Sequence, residues 1–221
     1  MLYDFHTHTF NSDGVLSPVE LIRRAAIKGY SAIAITDHVG IGSLERVIRE
    51  LSQDCELARS HWNILAIPGV ELTHLPQKAI DQAAKKAKEL GAWLVVVHGE
   101  TSVEPVEPGT NLAAVRSSYV DILAHPGYIT EEVAELAAAN KVFLEITTRR
   151  GHSLTNAHVG KIAGASGALM LLNSDSHCED DLLCEDMVKD VLRKAGISTR
   201  KFKQILEFNP LQLLQRIRRL P

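Results

Sequence analysis

The chain has little cysteine and no long apolar run. Its 221 residues include three cysteines, Cys55, Cys178 and Cys184, and none of them forms a C-x-x-C pair. A disulfide framework is therefore not expected, which suits a reducing compartment. No apolar run approaches the roughly 18 residues needed to cross a bilayer, and the first residues lack the basic and apolar regions of a signal peptide. We expect a cytoplasmic protein with no membrane partner.

Aromatic residues and net charge are also scarce. Phe, Trp and Tyr together make up 5% of the chain, and the formal net charge is -3. Proteins that bind long nucleic acids usually carry a basic surface, often with aromatic rings on which bases stack. The composition therefore argues against a long nucleic acid as partner. Hydrophobic residues still make up 45% of the sequence, which is enough for a sizeable core.

Short apolar runs alternate with amphipathic segments along most of the chain. The runs have the near-continuous apolar character of parallel strands that are covered on both faces. They predict strands at 2–5, 32–36, 64–70, 93–97, 120–124, 142–146 and 168–173. Helices are predicted at 17–29, 43–58, 78–90, 111–117, 130–140, 156–165 and 180–195. Seven β-α units in strict alternation indicate an α/β fold, a distorted (β/α)7 TIM-like barrel.

The alternation ends after residue 197. Two terminal helices are predicted at 198–207 and 210–220, and the basic run at 216–219 is interpreted as a solvated helix face. No linker, repeat or low-complexity stretch divides the sequence. We therefore expect residues 1–221 to form one barrel domain that includes the terminal helices 198–221.

Metal-ligand side chains follow nearly every predicted strand. They are His6, His8, Asp13, Asp37, His38, Glu71, His98, His125, Glu145, Asp175 and His177. Because the carboxyl ends of parallel strands meet at one mouth of a barrel, these side chains should converge there. Imidazole with carboxylate suits zinc, manganese or iron, and bridging carboxylates favour a cluster. The pattern predicts a multi-metal hydrolase.

Two pairs of these residues have a spacing of two. Side chains in a strand alternate between its faces, so His6 and His8 point the same way, as do Asp175 and His177. Each pair can therefore hold one metal ion from a single strand end.

These motifs resemble the PHP (polymerase and histidinol phosphatase) superfamily of metal-dependent phosphoesterases. The matching segments are His6-x-His8, Asn11-Ser12-Asp13-Gly14, Leu16-Ser17-Pro18, Thr36-Asp37-His38, Gly69-Val70-Glu71, His98, Ala124-His125-Pro126 and Asp175-Ser176-His177. The resemblance covers all seven predicted strands. It implies a metal site at the C-terminal face of the barrel with two to three divalent transition metals (zinc, manganese or iron).

The resemblance also implies three ligand sets. The first comprises His6, His8, Glu71 and Asp175. The second shares Glu71 as a bridge and adds His98 and His125. The third comprises Asp13, His38 and His177. Some members of the family have His in place of Asp13, which leaves the metal preference of the third set open.

Other polar residues near these strand ends are candidates for positioning the metal ligands or for binding the substrate. Glu145 is expected to accept a hydrogen bond from a ligand imidazole, and Asp37 either does the same or caps the turn that follows it. Arg149 and Arg150 are candidates for binding a substrate phosphate, because guanidinium groups match phosphate oxygens in pairs. His152 is a candidate for protonating the leaving oxygen. The irregular segment 100–110 is a candidate lid or substrate wall.

The expected function is hydrolysis of a small phosphate monoester, as in histidinol phosphatases. In this mechanism a metal-bridging hydroxide attacks phosphorus in line, Glu71 and Asp175 hold the metals, and Arg149 and His152 assist the phosphoryl and leaving oxygens. A phosphodiesterase or nuclease that acts on short oligonucleotides or nucleotides is one alternative. An amidohydrolase is another, although that family often places a carboxylated Lys where this chain has His98. A non-catalytic, metal-stabilised module is the third.

Overall fold

A curved parallel sheet forms the centre of the computed structural model, which describes residues 1–217. Its strands are β1 (Leu2–Asp4), β2 (Tyr30–Ile35), β3 (His38–Val39), β4 (Leu65–Leu72), β5 (Leu94–His98), β6 (Ile122–Ala124), β7 (Phe143–Thr147) and β8 (Met170–Asn173). Seven strands pair in the order β1-β2-β4-β5-β6-β7-β8, and β3 pairs with β4 beside this path. The predicted fold class, a distorted TIM-like barrel, is confirmed.

Helices alternate with these strands. They are α1 (Pro18–Ile27), α2 (Leu44–His61), α3 (Ile80–Glu89), α4 (Thr110–Arg116), α5 (Glu131–Asn140), α6 (Asn156–Ser166), α7 (Glu185–Lys194) and α8 (Asn209–Ile217). Two begin as their sequences predict, since the side chains of Ser17 and Thr130 accept hydrogen bonds from the backbone N–H groups of Glu20 and Val133. Short 3₁₀ turns lie at Gln77–Ala79, His152–Thr155, Glu179–Asp181 and Thr199–Lys201.

The structure differs from the prediction in the last third of the chain. Helix α7 begins at Glu185 rather than at 180, because Leu182 and Leu183 leave the 3₁₀ turn and bury their side chains in the core. The predicted helix 198–207 is a 3₁₀ turn followed by a π-helix at Gln204–Phe208. Residues 218–220 of the last predicted helix, and most of the basic run 216–219, lie outside the described residues.

The barrel closes between β8 and β1 through the segments that follow these strands. Within residues 1–217, a single parallel β-bridge between Thr7 and Ser176 joins these two segments. The backbone N–H of His8 donates to the carbonyl of Ser176 at 2.8 Å, and that of Asp175 donates to the carbonyl of His6 at 2.9 Å. The seam therefore sets the first and last candidate ligands of the chain side by side.

The barrel interior has an apolar layer at its amino-terminal end. Inward-facing side chains such as Leu94, Val96 and Phe143 pack there against Leu213 and Ile217 of α8. A fully buried Leu or Phe contributes about 1.5–3 kcal/mol relative to an exposed one, so this layer stabilises the barrel without polar groups. A second apolar cluster lies between the sheet and the surrounding helices.

The inward rows of side chains change from apolar to polar towards the carboxyl ends of the strands. In β5, Leu94 and Val96 are followed in the same row by His98, and in β7 Phe143 is followed by Glu145. Because side chains two apart share a face of a strand, the apolar layer aims these polar groups into the mouth. Within residues 1–217, no helix has the length and apolar character that crossing a membrane requires.

Candidate metal centre

Imidazole and carboxylate groups crowd the carboxyl-terminal mouth of the barrel. Four groups have ligand atoms that all lie within 4.8 Å of one another: His8, Asp13, His38 and His177; His6, Glu71 and His125; His6, His8 and Asp175; and His125, His152 and Asp175. Eight of the nine predicted metal ligands belong to these groups. The ninth, His98, lies beside them, with its ring centroid 4.5 Å from that of His125.

The innermost of these groups are buried and face one another closely. His6 Nε2 lies 3.3 Å from Glu71 Oε1, and His125 Nε2 lies 3.6 Å from the same oxygen. His8 Nε2 lies 3.1 Å from Asp175 Oδ1. Each of these side chains is at most 4% exposed, so water cannot reach the gaps between them freely.

Several of these buried atoms have no hydrogen-bond partner among the described residues. They are His6 Nε2, both ring nitrogens of His8, both carboxylate oxygens of Glu71 and Nδ1 of His125. Buried polar atoms are almost always hydrogen-bonded, and an unpaired buried carboxylate is costly. Imidazole nitrogens and carboxylate oxygens that converge without hydrogen-bond partners are the atoms that divalent transition metals bind, so these residues fit a metal centre.

Glu145 positions the buried side chains, although it belongs to none of the four sets of neighbouring ligand atoms. His6 Nδ1 donates to its Oε1 at 2.9 Å, and the backbone N–H of His125 donates to its Oε2 at 2.9 Å. Asn173 Nδ2 also donates to Oε1, at 2.8 Å. With Nδ1 of His6 occupied, Nε2 is directed at Glu71, which is the supporting role predicted for Glu145.

Negative charge dominates the buried groups. Burial lowers the pKa of His6, but the carboxylates of Glu145, Glu71 and Asp175 outweigh this effect and hold its pKa well above the usual range. For the Asp175 carboxyl, burial acts in the opposite direction and raises the pKa to about 7. Three carboxylates around one imidazole form an environment that a divalent cation would stabilise.

Two of the candidate ligands have unusual backbone conformations. The φ angles of His125 and Asp175 are +23° and +54°, in the left-handed region that side-chain-bearing residues rarely adopt. Such conformations cost roughly 1–3 kcal/mol and persist where the surrounding structure enforces them. Here Glu145 accepts from the N–H of His125, and the carbonyl of His6 accepts from the N–H of Asp175. The fold thus turns both side chains inward at an energetic cost.

A two-residue strand that the sequence did not predict positions His38. Strand β2 pairs with the first half of β4, and after an interruption at Thr36 and Asp37 the chain pairs with β4 again as β3. The register of β3 sets His38 opposite Glu71. His38 Nδ1 reaches 2.7 Å from Glu71 Oε2, although its hydrogen-bond partner is Thr73 Oγ1 at 2.7 Å.

The remaining predicted ligands form an exposed rim. Asp13, whose side chain is 55% exposed, places Oδ2 3.1 Å from His177 Nε2 and Oδ1 3.6 Å from His38 Nε2. Asp37 accepts hydrogen bonds from the N–H and hydroxyl of Thr9 and from the hydroxyl of Ser12, each at 2.7 Å. These contacts match neither interpretation of Asp37, because the carboxylate binds residues 9 and 12 rather than an imidazole or the turn that follows it, and so fastens the loop that carries Asp13.

The three predicted phosphate-binding residues differ in their surroundings. Arg149 Nη1 donates to Asp181 Oδ2 at 3.2 Å, and that oxygen also accepts from the backbone N–H of His177 at 2.9 Å. Arg149 therefore lies beside the rim. Arg150 is exposed. His152 is buried, and its ring centroid lies 4.2 Å from that of His125.

His152 is closer to the centre than its position in a loop indicated. Its Nδ1 lies 3.0 Å from Thr101 Oγ1. Burial, followed by the nearby charge of His98, lowers the pKa of His152 to about 4. The ring is therefore neutral near pH 7, which does not favour the predicted role as a store of a proton for the leaving group.

Three side chains at the mouth were not identified from the sequence. Glu104, in the loop after β5, places Oε2 3.5 Å from His98 Nε2 and 3.9 Å from His152 Nε2. Phe10 and Tyr128 are 60% and 71% exposed on the loops after β1 and β6. Neither a Glu in an irregular loop nor isolated aromatic residues carry a sequence signal, because only the folded loops bring them to this face.

Comparisons with known proteins agree with this geometry. The PHP domain family model matches residues 4–101. An uncharacterized protein from Methanocaldococcus jannaschii is 48% identical over 98% of this chain and all of that protein. A probable phosphatase from Shewanella pealeana is 30% identical over 96% of this chain and 91% of that protein.

A solved structure shares the fold. It is the histidinol phosphate phosphatase of Lactococcus lactis in complex with zinc, L-histidinol and phosphate, with a TM-score of 0.64 at 15% identity over 89% of this chain and 94% of that one. The family model and the full-length relatives establish the family. The chain belongs to the PHP family and is a metal-dependent phosphoesterase.

Proposed function

We propose that this phosphoesterase hydrolyses a small phosphate monoester, as the histidinol phosphatases do. The observation that carries the proposal is the set of buried nitrogen and oxygen atoms that converge without hydrogen-bond donors at the mouth of the barrel. The mouth also holds Arg149, a cation that can turn from Asp181 to a phosphate. Related full-length proteins are named probable phosphatases.

We infer that two to three divalent metals, zinc, manganese or iron, bind to the three ligand sets. The sets are His6, His8, Glu71 and Asp175; Glu71, His98 and His125; and Asp13, His38 and His177. The two oxygens of Glu71 support a bridging role. Oε1 lies 3.3 Å from His6 Nε2 and 3.6 Å from His125 Nε2, whereas Oε2 lies 3.7 Å from His8 Nε2.

The chemistry divides between the metals and the protein. Bound divalent metals lower the pKa of a coordinated water and neutralise charge on phosphoryl oxygens. Glu145 keeps Nε2 of His6 directed at the centre. Arg149 binds an equatorial phosphoryl oxygen, and exposed Arg150 approaches the same phosphate from solvent. His152, as a neutral ring, donates a hydrogen bond to the leaving oxygen.

The proposal is tested by measuring metal content together with activity. Elemental analysis of the purified protein is combined with turnover of p-nitrophenyl phosphate and of histidinol phosphate, before and after chelation. We expect two to three equivalents of metal and a phosphatase activity that chelation abolishes and metal restores. Bound metal without activity on any monoester would contradict the monoesterase assignment. Absence of bound metal after reconstitution with zinc, manganese and iron would contradict the centre itself.

A second candidate, hydrolysis of short oligonucleotides or nucleotides, is supported by the exposed rings of Phe10 and Tyr128. Both lie on loops at the same face as the candidate metal centre, and exposed rings of this kind stack on bases. Comparison of bis-p-nitrophenyl phosphate, a trinucleotide and a monoester as substrates separates the two candidates. If the trinucleotide is preferred, Tyr128→Ala and Phe10→Ala should raise its KM and leave hydrolysis of p-nitrophenyl phosphate unchanged.

A further inference from the structure

We infer that Glu104 is a tenth metal ligand, which the loop 99–109 brings to the metal held by His98. The inference rests on the proposed metal centre. Neither the strand-end motifs nor the family resemblance assigns a role to this residue. Glu104 lies six positions after the end of β5, and its carboxylate returns to the mouth.

The loop is fastened on both sides of Glu104. Glu100 Oε1 accepts from the backbone N–H groups of Gly109 and Asn111 at 3.0 and 2.8 Å, which ties the two ends of the loop together. Further along, Glu107 Oε2 accepts from the backbone N–H of Gln77 at 2.8 Å. These contacts hold the span between residues 100 and 107 over the mouth, and Glu104 is the carboxylate in that span.

The hydrogen bonding of His98 shows what faces Glu104. His98 Nδ1 lies 3.1 Å from the carbonyl oxygen of Gly99. A carbonyl oxygen only accepts, so Nδ1 carries a hydrogen and Nε2 is the ring atom that can bind a metal. This Nε2 lies 3.5 Å from Glu104 Oε2. A ring nitrogen and a carboxylate oxygen at this distance can hold one cation between them, and that cation is a metal ion when the ring is neutral.

The spacing between these two atoms is that of neighbouring ligands on one ion. Two donors bound tetrahedrally at about 2.1 Å from zinc lie about 3.4 Å apart. The 3.5 Å between His98 Nε2 and Glu104 Oε2 matches this value. It also matches the 3.3 and 3.6 Å that separate Glu71 Oε1 from His6 Nε2 and His125 Nε2. Glu104 thus stands in the same relation to His98 as Glu71 does to its own imidazole neighbours.

The position of Glu104 predicts how its substitution affects folding and metal binding. Its side chain is 45% exposed, on a loop that the fold does not need for its core. Substitution should therefore leave folding intact and weaken the binding of one metal ion only. The rival account is a simple ion pair, in which His98 is protonated and Glu104 contacts no metal. A second rival is contact between Glu104 and a cationic group of the substrate.

Cobalt binding separates these accounts without any measurement of turnover. Metal-free protein is titrated with Co²⁺, with the visible absorption and competition against a chelator giving the spectrum and affinity of each equivalent. Glu104→Gln removes the charged ligand and keeps the shape. Glu107→Gln is the matched control, because it removes the same charge from the same loop while its amide oxygen can still accept from the backbone N–H of Gln77.

We expect Glu104→Gln to weaken one cobalt equivalent by about tenfold or more, a loss of the size seen when support of a metal ligand is removed. The absorption of that equivalent should change, while the other equivalents and the Glu107→Gln protein match the wild type. Wild-type cobalt affinity and spectrum in Glu104→Gln would overturn the inference. In that case a raised KM, measured separately by turnover of the metal-loaded variant, would assign Glu104 to the substrate. If the wild-type protein itself bound no cobalt, the proposed metal centre would fail together with the inference.

Discussion

The proposed metal centre has a buried half and an exposed half. The buried ligands, each at most 3% exposed, are His6, His8, Glu71, His98, His125 and Asp175. The rim ligands Asp13, His38 and His177 have side chains that are 55%, 21% and 14% exposed. Because charges interact more strongly away from water, the two halves should bind metal with different strength.

Different parts of the fold build the two halves. The buried half stands on strand ends, on the seam between β1 and β8, and on Glu145, which is itself buried and fully engaged. Asp13 stands on a loop that Asp37 fastens through Thr9 and Ser12. Strand ends are fixed by the packing of the whole barrel, whereas a loop depends on a few local hydrogen bonds. The comparison teaches that affinity in this centre should follow the rigidity of the support.

The largest expected effect comes from removing the bridge. Glu71→Gln should lower turnover by at least about 100-fold and abolish binding in the buried half, because one carboxylate serves several imidazoles. The metal-free variant should be less stable than the metal-free wild type. Burial raises the pKa of Glu71, but His6 and His38 outweigh this effect and hold the pKa well below its usual range, so Gln removes a favourable charge interaction. Metal content, turnover and thermal unfolding with and without metal measure these effects. Full activity in Glu71→Gln would contradict the assignment.

The next largest effect is expected from Glu145, which positions ligands of the buried half. Glu145→Gln should weaken metal affinity about 10–100-fold, because His6 loses its charged hydrogen-bond acceptor. Binding at the rim should be unaffected, since Glu145 is within hydrogen-bond distance of buried groups only among the described residues. Calorimetric titration with manganese reports both classes. Equal weakening of the two classes would show that the halves are not independent.

A smaller effect is expected at the rim. Asp13→Asn should remove one equivalent of metal and reduce turnover about tenfold, with the buried equivalents retained. Asp13→His, which introduces the residue that some family members have there, should restore the third equivalent. Elemental analysis after gel filtration gives the counts. Loss of all metal in Asp13→Asn would mean that the rim and the buried half bind as one unit.

No effect on metal count is expected at the opposite end of the barrel. Leu213→Ala should lower the free energy of unfolding by about 2–5 kcal/mol, because Leu213 is fully buried in the apolar layer. Metal stoichiometry of the folded fraction should stay unchanged. Urea unfolding and elemental analysis provide the two readouts. A change in stoichiometry would show that the lower layer sets the geometry of the mouth more directly than the layered interior indicates.

The sequence predicted most of what strands alone determine. Apolar runs located the seven barrel strands, and the residues just after them gave the candidate ligands, because the carboxyl ends of parallel strands share one mouth. It did not predict β3, since two residues are too few to show a period, although their pairing sets His38 opposite Glu71. Glu104 was also missed, because its place in the site depends on the path of a whole loop.

The same limit applies to the end of the chain. The segment 198–207 has the amphipathic pattern of a helix, but its buried residues contact β8 through a π-helix instead. Tertiary packing therefore overrides the local preference there. The unusual φ angles of His125 and Asp175 were equally unpredictable, since they arise from hydrogen bonds to Glu145 and His6, residues far away in the sequence.

The most direct test of the two-part centre is stepwise removal of metal from the fully loaded protein with a graded series of chelators. Metal content and turnover are followed in each sample. The account predicts two classes, in which one equivalent leaves early from the rim and the remaining equivalents leave only with the strongest chelator. Loss of all equivalents in a single step would contradict the division into a buried half and a rim.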